Sequence, residues 1–184
     1  MHDDDTVIVD SDIGFSEAIS GSNAPMEIID RLGLINVLYY SFDGVSHHGQ
    51  IVVDSDLEND IYKIFLLIEK LRFPVGKAIP IVQYNWRDQA SMAANNCSGF
   101  NFRLIEGTTN LSLHALGRAV DINPVQNPII YEDGRIAPPG KTYNASKAGT
   151  FTADHPIVEE FIKHGWQWGG NFEKIKDYHH FQKP

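Results

Sequence analysis

The sequence predicts an α+β fold, a single domain with a small, mainly antiparallel sheet and helices packed on it. Three observations lead there. A chain of 184 residues suits one hydrophobic core, and nothing in it marks a second. Hydrophobic residues make up 42% and charged residues 21%, enough apolar material for that core and too much for a wholly disordered chain. Helical and strand-like stretches fall in separate blocks, with hairpin signals joining the strands, rather than in an alternating βαβ array.

Residues 1–23 are acidic and rich in Ser and Gly, with apolar islands only at stretches such as Val7–Val9, and are expected to form an acidic arm laid on the domain of residues 24–184. Pro25, followed by Met26, Ile28, Ile29 and Leu32 and closed by Gly33, has the proline and glycine of a short helix. Ile35–Phe42 and Gln50–Asp54 are β-rich runs joined by a loop that contains Asp43-Gly44 and, on this reading, His47 and His48. From an N-cap at Ser55 or Asp56, apolar Leu57, Ile61, Ile64, Phe65, Ile68 and Leu71 recur at helical spacing until Pro74. Ala78–Tyr84 and Gly117–Ile122 read as strands, and Pro128–Tyr131 and Arg135–Ile136 flank a turn at Asp133-Gly134. His155-Pro156 opens a last helix carrying Ile157, Val158, Phe161 and Ile162, which Gly165 closes before the segments 166–168 and 178–182.

Composition excludes several function classes. With 15 Lys and Arg against 24 Asp and Glu, the net charge is -9, and no stretch gathers enough cations to neutralise a row of phosphates, so nucleic acid is not expected as a partner. One cysteine, Cys97, rules out an intrachain disulfide framework and a four-cysteine zinc site. The longest apolar run, Ile64–Ile68, is far too short to span a bilayer, and the acidic N-terminus does not read as a signal peptide.

Chemistry concentrates in three segments. In Ser112-Leu113-His114-Ala115-Leu116-Gly117-Arg118-Ala119-Val120-Asp121, an imidazole and a carboxylate stand seven positions apart, and Gly117 reads as a turn into a strand that brings the two together. In Asp177-Tyr178-His179-His180-Phe181, two imidazoles follow a carboxylate. A catalytic zinc ion takes three protein ligands and leaves a position for water. His114, Asp121 and one histidine of the pair 179–180 would supply them, leaving Asp177 to take a proton. Strand alternation puts Asp177 and His180 on opposite faces, so the chain must bend between them for both to face one ion. The third segment, 95–103, crowds Asn95, Asn96, Ser98, Asn101 and Arg103 around Cys97, and places a guanidinium where it can meet a carboxylate or an oxyanion.

The pattern Ser-x-His-x-x-Gly-x-Ala-x-Asp at 112–121, with Asp-x-x-His-Phe at 177–181, resembles the zinc peptidase family of bacterial D-alanyl-D-alanine carboxypeptidases, D-Ala-D-Ala dipeptidases and phage L-alanyl-D-glutamate endolysins. Asn95-Asn96, Ser98, Phe100, Asn101, Arg103 and the aspartate at 177 resemble the endolysin branch in particular. The likeness runs from about Gly44 to Phe181. It departs at Cys97, where that branch usually has Thr, at Gly99, where it has Ala, and at Gln182, where an acid is common.

The resemblance implies one zinc ion held by His114, Asp121 and His180 in a cleft beside the sheet, with Asp177 as base and Arg103 on the carbonyl oxygen or a substrate carboxylate. Ser98, Asn101, Ser112, Trp166, Trp168 and His179 would line or brace the substrate site. The implied substrate is the peptide stem of bacterial peptidoglycan, cut at the L-alanyl-D-glutamate bond by a monomer working outside the cytoplasm. A D,D-carboxypeptidase of the same family and a non-catalytic zinc-containing wall-binding module are the alternatives. Cys97-Ser98-Gly99-Phe100 also resembles the nucleophile segment of papain-like cell-wall peptidases, without the His-x-Gly strand those enzymes carry.

Overall fold

The computed structural model describes residues 7–184, so His2 and the acidic run at Asp3–Asp5 lie outside the described residues. The fold is organised on a hairpin, β2 (Leu32–Tyr40) and β3 (Ser46–Asp54), paired in antiparallel register from Leu32 with Asp54 to Tyr40 with Ser46. Helix α3 (Glu58–Lys70) lies across it, and its stripe of Ile61, Ile64, Phe65 and Ile68 is buried against Val37, Tyr39, Ile51 and Val53. Ser55–Leu57 form a 3₁₀ turn ahead of α3, and Asp54 rather than Ser55 or Asp56 caps it by accepting the Asp56 N–H.

The opposite face of the hairpin is not left to water. Strand β1 (Val7–Val9) runs parallel to β3, and the short helices α1 (Phe15–Ala18) and α2 (Met26–Ile29) follow. Ala18, Ile29, Leu32, Val52 and Phe100 are buried together there, with Ile13, Phe15 and Ile19 packed against them. Strand β1 thus flanks the central strand and residues 13–19 help Ile29 and Phe100 to cover its back, which explains why β3 is buried without interruption from Gly49 to Asp54.

Three local expectations are corrected. His47 and His48 sit in β3 rather than in the connecting loop, which is confined to the turn around Gly44. Helix α2 stops at Ile29, and Gly33 lies in β2 where a Cβ would strike the Glu58 carboxylate, so that glycine serves a close approach instead of a helix end. Ala78–Tyr84 is not one strand: β4 (Lys77–Ala78) ends before Pro80, which has no N–H to give, and Ile81–Tyr84 coil into a 3₁₀ turn. The helix α4 (Asp88–Ala93), which leads to β5 (Asn96–Cys97), carries no clear apolar period.

The second half builds two further three-stranded sheets. One orders β6 (Ala119–Asp121), β11 (His180–Gln182) and β9 (Gln167–Trp168), with β11 in the centre and antiparallel to both neighbours. The other orders β10 (Lys176–Asp177), β7 (Ile129–Ile130) and β8 (Ile136–Ala137). Helix α5 (Pro156–Lys163), capped by His155, joins the first sheet to the main core: Phe161 stacks on Phe181 with ring centroids 3.9 Å apart. The domain is α+β, with small sheets and helices on them, as the sequence predicts.

Candidate metal centre

His114 lies in a 3₁₀ helix, Leu113–Leu116, whose N-cap Ser112 accepts the His114 N–H at 3.2 Å. Gly117 ends that helix at φ 67°, where a Cβ would meet the Asp54 nitrogen at 2.5 Å, so only glycine makes both the left-handed turn and the contact with β3. The turn throws the chain into β6, and the His114 Nε2 then faces Asp121 Oδ1 at 3.2 Å. His180 pairs directly with Asp121 across β11 and β6, and its Nδ1 lies 2.9 Å from the same Oδ1. The trio is completed by a 3.2 Å approach of His114 Nε2 to His180 Nδ1, and all three residues are buried.

The protons of these rings are committed elsewhere. His114 Nδ1 donates to the Gly99 carbonyl at 2.6 Å, and His180 Nε2 donates to Gln182 Oε1 at 3.0 Å. In their neutral forms both rings thus aim lone pairs at the Asp121 carboxylate and at each other, an arrangement that only a cation satisfies. A single proton answers part of it: burial disfavours a charged His180, but the hydrogen bond and charge of Asp121 outweigh burial and push His180 up to about 9. Burial likewise opposes charge on Asp121, yet the charges of His114 and His179, with the hydrogen bonds to His114 and His180, hold its carboxyl well below the usual range. A metal ion satisfies all three donors at once, since His114, Asp121 and His180 each offer an atom within 4.8 Å of the others. Two imidazoles and one carboxylate suit zinc.

The bend that strand alternation demands lies at Tyr178-His179. Asp177 ends β10 in one sheet, and His180 begins β11 in the other. Trp168 braces the corner by donating its Nε1–H to the Tyr178 carbonyl at 2.9 Å. Asp177 thereby comes close enough for its charge to add to the proton affinity of His180, and its buried Oδ1 has no hydrogen-bond partner among the described residues.

His179 is pinned at the bend, with Nδ1 donating to the Asn127 carbonyl at 2.7 Å and Nε2 lying 3.1 Å from Asp177 Oδ1 and 3.9 Å from Asp121 Oδ2. Arg103 is paired with Asp88 at 3.1 Å, and its buried Nε has no partner among the described residues. Asn101 and Ser98 hold the frame, the Asn101 N–H donating to the His114 carbonyl at 3.0 Å and the Ser98 N–H to the Asp121 carbonyl at 3.1 Å. Trp166 points into the core, giving its Nε1–H to Asp60 at 3.1 Å. Together with Trp168, Gln167 and Phe172 it also borders a groove of about 640 Å³.

Sequence reasoning does not reach the Gly99 carbonyl or the Asp88 partner of Arg103, and it notes Gln182 only as a departure. Alternation along β11 is the available signal for Gln182, two residues past His180 and on the same face. Cys97 is fully buried, and burial pushes its thiol up to about 12. A cysteine nucleophile needs an accessible thiolate, so this chain does not run papain-like chemistry through Cys97.

Residues 106–183 match the model of a family described as D-alanyl-D-alanine carboxypeptidase. The matched stretch contains His114, Asp121, Asp177 and His180, while Arg103 precedes it. The match supports the zinc peptidase family, and with it a metallopeptidase, without selecting a branch. No curated protein and no solved structure matches the chain.

Proposed function

We propose that this protein is a zinc-dependent peptidase that hydrolyses an amide bond in the peptide stem of bacterial peptidoglycan, the L-alanyl-D-glutamate bond in particular. The observation that carries this reading is the convergence of His114 Nε2, Asp121 Oδ1 and His180 Nδ1, with each ring's proton bound elsewhere and Asp177 reached from Asp121 through His179.

His114, Asp121 and His180 would hold the ion, which when bound supplies Lewis acidity toward a carbonyl and acidifies a water at neutral pH. Asp177 Oδ1, buried and 3.1 Å from His179 Nε2, accepts the proton of the attacking water and returns it to the leaving amine. Arg103 balances developing oxyanion charge or grips a substrate carboxylate, with Asp88 orienting its guanidinium. His179 is held at the bend beside Asp177 by the Asn127 carbonyl, while Ser98, Asn101 and Ser112 fix the backbone under the ligands. Trp168 braces the corner between Asp177 and His180, and the groove that it borders with Trp166 is lined by none of the three ligands.

The description of the matched family favours a second reading, D,D-carboxypeptidase action on the same stems. Either substrate places the work outside the cytoplasm. No helix among the described residues is long and apolar enough to cross a membrane. Incubation with purified muropeptides, with and without added zinc, followed by mass spectrometry of the products, tests the proposal. Release of fragments cut between L-alanine and D-glutamate is expected, loss of only the terminal D-alanine selects the second reading, and zinc binding without turnover overturns both.

A further inference from the structure

We propose that Gln182 and Gln167 form an amide relay that decides which nitrogen of His180 faces the metal trio, making Gln167, a surface residue, a positioning residue for metal binding. The inference rests on the zinc peptidase reading above. Gln182 Oε1 lies 3.0 Å from His180 Nε2, and an amide oxygen can only accept. The neutral ring must therefore carry its proton on Nε2 and keep the Nδ1 lone pair for the trio, where Asp121 Oδ1 stands 2.9 Å away. In the other tautomer an N–H would point among the ligands, and two lone pairs would oppose each other at Gln182.

An amide alone is an ambiguous partner. Turned by half a rotation, Gln182 would offer its NH2 to His180 and favour the wrong tautomer. Its second hydrogen bond couples it to a neighbour, Gln182 Nε2 donating to Gln167 Oε1 at 2.8 Å, so that Gln182 turns only if Gln167 turns with it. The two glutamines are direct cross-strand partners of β11 and β9, so the sheet register places their side chains against each other. Gln182 is half-buried and Gln167 is exposed at the rim of the aromatic groove, so the relay runs from solvent to a metal ligand in two hydrogen bonds. Because the bonds are directional, the oxygen and nitrogen positions matter more than the volume of the side chains.

The test is a zinc dissociation constant for the full chain, measured by competition with a chromophoric chelator, together with long-range proton–nitrogen correlation spectra of the zinc-loaded histidines. Gln182→Met is expected to weaken zinc binding about 10- to 100-fold and to broaden the His180 Nε2–H signal, while Gln182→Glu, which keeps the acceptor, restores both. Gln167→Met should weaken binding by a smaller factor, and Gln167→Glu, which can only accept, should not. If wild-type protein binds no zinc, the zinc peptidase reading fails and this inference with it. If wild-type binds and Gln182→Met binds equally well with an unchanged His180 signal, the relay alone is overturned. Should Gln182→Met fail to fold, loss of affinity in Gln182→Glu overturns the relay and retention of it supports the relay.

Discussion

His47 and His180 are both buried imidazoles set against aspartates, and they end in opposite electrostatic situations. Around His47, Nδ1 meets Asp10 at 2.9 Å and Nε2 meets Asp43 at 3.1 Å, while the Tyr39 hydroxyl donates to Asp10. Each ring nitrogen there has its own carboxylate, so the cluster is complete within the protein and ties the segment after β1 to the hairpin. Around His180, one nitrogen is spent on Gln182, and the other joins His114 and Asp121 in a convergence of acceptors. Histidines and aspartates in proximity do not define a metal site. The direction in which their uncommitted lone pairs point does.

The sharpest way to break this contrast is to remove one member of each cluster. His180→Ala or Asp121→Asn is expected to cost zinc affinity on the order of a thousandfold, and activity with it, whereas His47→Ala should leave the zinc dissociation constant unchanged. Equal loss of affinity in all three variants would erase the distinction. Next in size, Asp177→Ala should retain zinc and lose about 10²–10⁴ in kcat, because the base and the ligands serve different steps. A metal-replete, fully active Asp177→Ala protein refutes the base assignment.

The third test is pH. The proton on His180 stabilises the metal-free fold fully below the ordinary histidine value of about 6.5, and that contribution disappears as pH rises through about 9. A cation competes for the same nitrogen, so zinc affinity should move the other way, climbing about tenfold per pH unit and levelling near 9. Calorimetry in buffers of different ionisation enthalpy reads the released proton directly, and zinc binding at neutral pH without proton release contradicts the geometry. The smallest effect belongs to the self-contained cluster: His47→Gln should cost about 1 kcal/mol in denaturant unfolding, because the partly buried Asp10 loses one of its two partners while keeping the Tyr39 hydroxyl, with turnover unaffected.

The legible parts of the site are those written in side chains. Gly117 between His114 and Asp121 announces a turn into a strand, and the period of two across 177–180 requires a bend that the structure places at Tyr178-His179. Less legible are contacts made by backbone. Neither the Gly99 carbonyl under His114 nor the Asn127 carbonyl under His179 has a residue signature, because any residue carries a carbonyl. The pairing of Arg103 with Asp88 escapes for a different reason: α4 is six residues long and weakly periodic, so nothing marks Asp88 as near the site. In the fold, α3 and α5 are read from their apolar stripes. The placement of residues 7–23 behind β3 is not, since parallel pairing of a three-residue strand is a long-range event with no local sign.

The corner at Tyr178-His179 carries a consequence for how such a molecule can change. Asp177 rides on the sheet of β7, β8 and β10, and the ligands Asp121 and His180 ride on the sheet of β6, β9 and β11. On the proposed reading, a small shift of the first sheet would alter the reach of Asp177 while leaving Asp121 and His180 in register, so that catalytic tuning and ion retention would be separable traits. Substitutions in the sheet of β7, β8 and β10 would then change rate before they change affinity for zinc.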